Sequence, residues 1–286
     1  MKAIKGLLLF GISMLLVSAC FNPPEFPLVP EIDFESIYFR EAKHVGERDS
    51  LVFTISFKDG NGDLGLSSTQ IEPPYHDINY YLANNGDTIP VAKATVYSDI
   101  PQFVQIPNGV TGKLVTVRTH DDPEYSDVIP SFTDPYSCTF FTYTKVFVEA
   151  KNADIFDETY NIDSVYSRQP GIPDFYALLD TFYYQRNPNY ANIDVEFWVK
   201  ESNGYTLYDW EKEFCTISFN QRFPILSEKT GPLEGDLQYA MTSIGFKSIF
   251  SIKTLKLRIK IRDRRLNVSN VVETPEFTLD KIKRGG

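Results

Sequence analysis

The segment Phe57-Lys58-Asp59-Gly60-Asn61-Gly62-Asp63-Leu64-Gly65-Leu66 sets oxygen-bearing side chains at alternate positions of a glycine-rich stretch. In this D-x-N-x-D spacing Asp59, Asn61 and Asp63 can converge on one hard cation such as Ca²⁺. The pattern is not an EF-hand: Leu64 stands at the sixth position, where that loop needs glycine, and Gln70 at the twelfth, where it needs glutamate. The same residues equally suit a tight turn in which Asp and Asn cap their own backbone amides.

Other chemistry-bearing patterns are sparse. The histidines at 44, 76 and 120 have no metal-ligand spacing, and neither H-E-x-x-H nor G-x-S-x-G occurs. No Gly-Lys-Ser/Thr follows the 60–65 glycines, so they do not form a phosphate loop. Asp121-Asp122 and Glu234-Gly235-Asp236 are acid pairs from which glycoside hydrolysis could be built, although such pairs in turn-rich sequence are more often solvated loops. The aromatic run from Phe182 to Tyr190 could stack on sugars or a protein, although in a sandwich most such rings are core or cover the sheet ends.

The elements that position these residues read as strands. Leu51, Phe53, Ile55 and Phe57 alternate with more polar neighbours, the period of a half-buried strand. Ile193, Val195, Phe197 and Val199 alternate with Asp194, Glu196, Trp198 and Lys200. Leu255, Leu257, Ile259 and Ile261 alternate with Lys256, Arg258, Lys260 and Arg262, whose basic face reads as solvated and discourages edge-to-edge pairing. Weaker strands are expected at 34–40, 77–82, 113–119, 143–149 and 216–219, and another at 271–279. Turns are expected at Asn84-Asn85-Gly86-Asp87, Pro107-Asn108-Gly109 and Ser202-Asn203-Gly204. The expected fold is therefore all-β: an antiparallel immunoglobulin-like β-sandwich over residues 31–286, with a long irregular insertion at about 93–174.

The first twenty residues, MKAIKGLLLFGISMLLVSAC, join a basic start (Lys2, Lys5) to an apolar run at 7–17 and a small-residue cleavage site. The run is short for a transmembrane helix, which needs roughly 20 apolar residues. Residues 1–19 read as a signal peptide. Val17-Ser18-Ala19-Cys20 resembles the lipobox of bacterial lipoproteins, which implies palmitate-type acylation at Cys20. Prolines 23, 24, 27 and 30 make residues 20–30 a tether, extended to roughly 30 Å if polyproline II throughout. No acidic retention pair follows Cys20, which points to the outer membrane.

Lipobox, Pro-rich tether, the 57–66 segment and Asp263-Arg264-Arg265-Leu266-Asn267-Val268-Ser269-Asn270 together resemble a group of uncharacterised Gram-negative envelope lipoproteins. That group carries F-x-D-G-D/N-G-D-L-G after an early strand and D-R-x-L-N-x-S-N before the last. The likeness covers about a third of the chain, at its two ends. It implies an immunoglobulin-like surface lipoprotein and brings no established activity.

If 51–57 is the second strand of such a sandwich and 255–262 the penultimate one, the loops following them emerge at one end. Asp59, Asn61 and Asp63 then approach Asp263, Asn267 and Asn270. Three carboxylates that close repel unless a cation neutralises them or one is protonated. A structural Ca²⁺ is one expectation; turn capping with hydrogen bonds to Arg264 or Arg265 is the other.

Removing Lys2 and Lys5 from 28 basic residues leaves 26 against 38 acidic ones, a formal charge of −12 on the mature chain. This disfavours nucleic acid as a partner. Cys138 and Cys215 remain once Cys20 is lipidated, and an even pair in an oxidising compartment suits either a disulfide or two buried thiols. The functional expectation is a lipid-anchored, non-catalytic envelope protein that binds or scaffolds an extracytoplasmic protein or glycan. The alternative is an envelope enzyme acting on glycans with acidic residues of the insertion.

Overall fold

The computed structural model describes residues 25–44, 46–91, 112–118, 141–149, 162–166, 175–214 and 218–284. The signal peptide, Cys20, Cys138, Cys215, the 121–122 acid pair and the 107–109 turn lie outside them.

The alternating segments become strands. In chain order these are β1 (Glu31–Arg40), β2 (Asp49–Asp59), β3 (Ile78–Leu82), β4 (Thr88–Pro90), β5 (Phe141–Glu149) and β6 (Ile162–Tyr166). Then come β7 (Phe175–Arg186), β8 (Ile193–Glu201), β9 (Gly204–Tyr208), β10 (Leu233–Ser243), β11 (Leu255–Ile261) and β12 (Val272–Glu273). Two five-residue helices, α1 (Trp210–Phe214) and α2 (Phe246–Phe250), flank β10 in sequence. The strands form three antiparallel sheets, ordered β1-β2-β10, β12-β11-β8-β9, and β4-β3-β7-β5 with β6 also on β7. No helix among the described residues is long and apolar enough to cross a membrane.

The first two sheets share one core. Leu51, Phe53, Ile55 and Phe57 of β2 are buried with Ile193, Val195, Phe197 and Val199 of β8 and with Leu255, Leu257, Ile259 and Ile261 of β11. Period-2 alternation places each set on one face of its sheet, so both apolar faces leave water together. Phe197 sits where the aromatic side chains concentrate. Its ring stacks on Phe250 at 5.6 Å and lies 5.3 Å from Phe219 and 6.0 Å from Trp210. The helices α1 and α2 supply Trp210, Phe246 and Phe250 to this cluster.

The stretch expected to be irregular is in part a sheet. β5 and β6 fall inside 93–174, and the sheet they join runs outward to Ile78 and Arg186. It has its own buried cluster, including Tyr81, Ile89, Val146, Val148, Leu178 and Phe182. Other expected strands shrink. Residues 113–118 contribute only bridges, Leu114 to Ala83 and Thr116 to Phe182. The C-terminal strand keeps two residues, with Phe277 bridging Leu255. Of 216–219, the described Ser218 and Phe219 are not in a strand.

The tether docks earlier than its proline content suggests. The Gly60 amide donates to the Pro27 carbonyl at 2.8 Å, and Lys58 sits over the Phe26 ring at 6.0 Å. A side chain at position 60 has no room: its Cβ would lie 2.4 Å from the Phe26 carbonyl oxygen and 2.9 Å from that of Pro27. Gly60→Ala is therefore expected to expel residues 26–27 while leaving the sheets intact. Limited proteolysis should show faster cleavage near Phe26 at an unchanged melting cooperativity; unchanged protection of the tether would contradict this contact.

Candidate cation site

Asp59 is the last residue of β2, and the chain turns sharply after it. The turn is held by its own side chains: the Asp63 amide donates to Asp59 Oδ2 at 3.0 Å and to Asn61 Oδ1 at 3.2 Å. Gly62 adopts φ +70°, and a Cβ there would meet the Gly231 carbonyl oxygen at 2.6 Å, so this position suits only glycine. The Gly231 amide closes the contact by donating to the Asn61 carbonyl at 3.1 Å.

The second loop follows β11. Asp263 Oδ1 accepts from the amides of Arg265 (2.9 Å) and Asn267 (2.8 Å), and its Oδ2 accepts from Asn267 Nδ2 at 2.7 Å. Leu266 completes the turn at φ 68°, a left-handed conformation rare for a branched residue. The two loops are clasped by an antiparallel bridge between Leu64 and Asp263 and by the Arg264 amide donating to the Asp63 carbonyl at 3.1 Å. Tyr75 props the outer side by donating its hydroxyl to the Arg264 carbonyl. Tyr75 is itself held by Arg222, which donates to the carbonyls of Tyr75, Gln70 (2.7 Å) and Tyr190 (2.6 Å) and stacks on the Tyr190 ring at 4.2 Å.

This brings one carboxylate oxygen from each of Asp59, Asp63 and Asp263 within 4.8 Å of the others. Asp59 and Asp263 are buried, 0% and 1% exposed. Two oxygens of the cluster, Asp59 Oδ1 and Asp63 Oδ1, are buried with no hydrogen-bond partner among the described residues, as is Asn61 Nδ2. Burial is the main force raising the Asp59 carboxyl above its ordinary value, with the Asp263 charge adding to it. Asp63 is pushed up to about 6, by burial first and by Asp263 and Asp59 next. The Arg264 and Arg265 charges oppose this, Arg265 from the rim with its Nε 3.3 Å from Asp63 Oδ2.

The expected ligand set is thus divided. Asp59, Asp63 and Asp263 converge. Asn61 and Asn267 serve the loops, one accepting the Asp63 amide and the other donating to Asp263. Asn270 is elsewhere: its Nδ2 donates to the Ile32 carbonyl and its Oδ1 accepts the Ile32 amide, both at 2.8 Å, tying the C-terminal loop to β1. The D-R-x-L-N-x-S-N spacing carries no signal that would have separated these two asparagines.

Other candidates resolve differently. Glu234 and Asp236 are exposed on β10, in register with Lys58 and Ser56. His76 is buried, its Nδ1 beside the Ile78 carbonyl at 2.8 Å. Phe182, Tyr183 and Tyr184 are buried on β7 rather than presented for stacking. The basic face of β11 is paired instead of merely solvated: Lys256 and Arg258 with Glu273, and Lys260 and Arg262 with Asp194. Arg258 also stacks on Trp198, and Lys256 on Tyr205.

No family model, curated protein or solved structure matches this chain.

Proposed function

We propose that this chain is an exported, lipid-anchored, non-catalytic protein of the Gram-negative envelope, seated in the outer membrane, that holds an immunoglobulin-like body ready for an extracytoplasmic protein or glycan. The observation that carries the reading is the joint between leader and body. Val17-Ser18-Ala19-Cys20 closes a signal-like segment, and the chain docks on the β-body at Phe26 and Pro27, only a few residues later. An acylated Cys20 would hold the body, 59–65 loop foremost, close to the bilayer. Several acyl chains make such anchoring effectively permanent.

The sheet orders support the immunoglobulin-like reading. In that fold's lettering, β1, β2 and β10 take the places of A, B and E, while β12, β11, β8 and β9 take those of G, F, C and C′. The third sheet then enters between B and C. The converged carboxylates favour a structural over a catalytic role, since Asp59 and Asp263 are too deeply buried to reach a glycosidic bond. The charge of the mature chain argues against nucleic acid.

Fractionation with Cys20→Ala tests the anchor. The native chain should sediment with membranes and need detergent for release, whereas Cys20→Ala should lose all membrane attachment. Equal solubility of the two would overturn the reading. Glycan cleavage by the purified protein would favour an enzyme instead.

A further inference from the structure

We infer that Asp59, Asp63 and Asp263 form a binding site for one calcium ion, which fastens the loop after β2 to the loop after β11. The inference is independent of how the protein is anchored.

Geometry is the first support. Oxygens each 2.3–2.6 Å from a Ca²⁺ cannot be more than about 5 Å apart, and the three carboxylate oxygens lie within 4.8 Å of one another. They come from two loops about two hundred residues apart in sequence, yet clasped backbone to backbone through Leu64, Asp63, Asp263 and Arg264. The site is therefore assembled by the fold and not by one flexible turn.

The second support is independent of the clustering. Asp59 is fully buried, and its Oδ1 has no hydrogen-bond donor among the described residues, while the neighbouring Asp63 Oδ1 is buried and equally without one. Buried carboxylate oxygens ordinarily find donors, and leaving them bare is costly. Turn capping accounts for Asp59 Oδ2 and for both Asp263 oxygens. It leaves the two bare oxygens unexplained, and a cation explains both. The all-oxygen donor set is that of a hard cation, and calcium tolerates irregular coordination completed by carbonyls or water. Arg264 and Arg265 supply opposing charge, but the Arg265 side chain is 65% exposed with its Nε against Asp63 Oδ2, and Arg264 Nη1 donates to the carbonyls of Leu64 and Gly65.

Binding has a mechanical consequence. The loop that carries Asp59 and Asp63 also grips Pro27 through Gly60, so an ion here stiffens the joint between tether and body.

The test uses the mature full-length protein in detergent, stripped with chelator at pH 7.5 and titrated with calcium chloride by calorimetry and thermal melting. One calcium per chain is expected, with a rise of several degrees in the melting midpoint as calcium exceeds its dissociation constant. Asp63→Asn should melt above the native protein in chelator, because it relieves the repulsion, and should bind calcium at least tenfold more weakly. Absence of both heat and midpoint shift in the native protein up to 10 mM calcium overturns the site, whether or not the variant folds. A calcium response unchanged in Asp63→Asn overturns it as well, placing any bound ion elsewhere.

Discussion

Replacing Phe197 by alanine is expected to destabilise the protein by about 3–5 kcal/mol, the usual cost of deleting a fully packed aromatic side chain. Phe197 is 2% exposed and touches Phe219, Phe246, Phe250 and Trp210, which come from both short helices and the segment between β9 and β10. Trp210, Phe246 and Phe250 cannot collapse into the void without moving α1 or α2 off the sheets. For a chain of this size the melting midpoint should fall by roughly 6–20 °C. Phe197→Leu, which keeps most of the volume, should recover more than half of the loss. A fall of only a degree or two would mean that the aromatic cluster is not the keystone of the shared core.

The second large effect is a pH dependence whose sign is set by the carboxylate cluster. In calcium-free buffer, Asp63 binds its proton more tightly in the folded chain, at about 6, than at its ordinary 3.8. Such a group contributes stability that is fully present below the unfolded value and is lost as pH rises through the folded one. The window is therefore about pH 4 to 6. A two-unit displacement corresponds to roughly 3 kcal/mol, and Asp59 is raised as well, by burial first and by the Asp263 charge. Glu41 acts in the opposite sense. Its ion-paired hydrogen bonds with Lys247 and Lys283 pull it down to about 2, so its contribution is lost as pH falls below the usual glutamate range. The chelated protein should thus be most stable at about pH 4 to 5 and weaken toward neutrality. Urea unfolding in chelator checks this. The midpoint should drop between pH 4.5 and 7.5 for the native chain and drop less for Asp63→Asn, in which Asp59 still titrates. A midpoint that rises over this interval would mean that the cluster is not strained.

The strands that could be read from sequence are those with one face in a core. β11 alternates throughout and β8 as far as Lys200, because each lies inside its sheet, with one side buried and the other mostly charged. β10 alternates too, through Leu233, Leu237, Tyr239 and Met241, but Gly235 interrupts the pattern where Phe57 of β2 leans across. β7 was hidden for the opposite reason. Ala177, Leu178, Phe182, Tyr183 and Tyr184 are all buried, so burial on both faces erases the period that would mark a strand.

The carboxylate pairing was legible because two short loops follow two well-patterned strands. The distinct duties of Asn267 and Asn270 were not, since a three-residue spacing does not say which asparagine faces inward. Nor does a proline count reveal that Pro27 ends the tether. That contact depends on a glycine more than thirty residues away having no side chain to obstruct it.

Whether the chain is an anchored envelope protein is decided most directly by the mass of its mature N-terminal peptide, taken from native membranes. The account predicts a chain that begins at Cys20, carrying a diacylglycerol on the thiol and usually a third acyl chain on the amine. A peptide retaining residues 1–19, or one beginning at Cys20 or elsewhere without lipid, would contradict it.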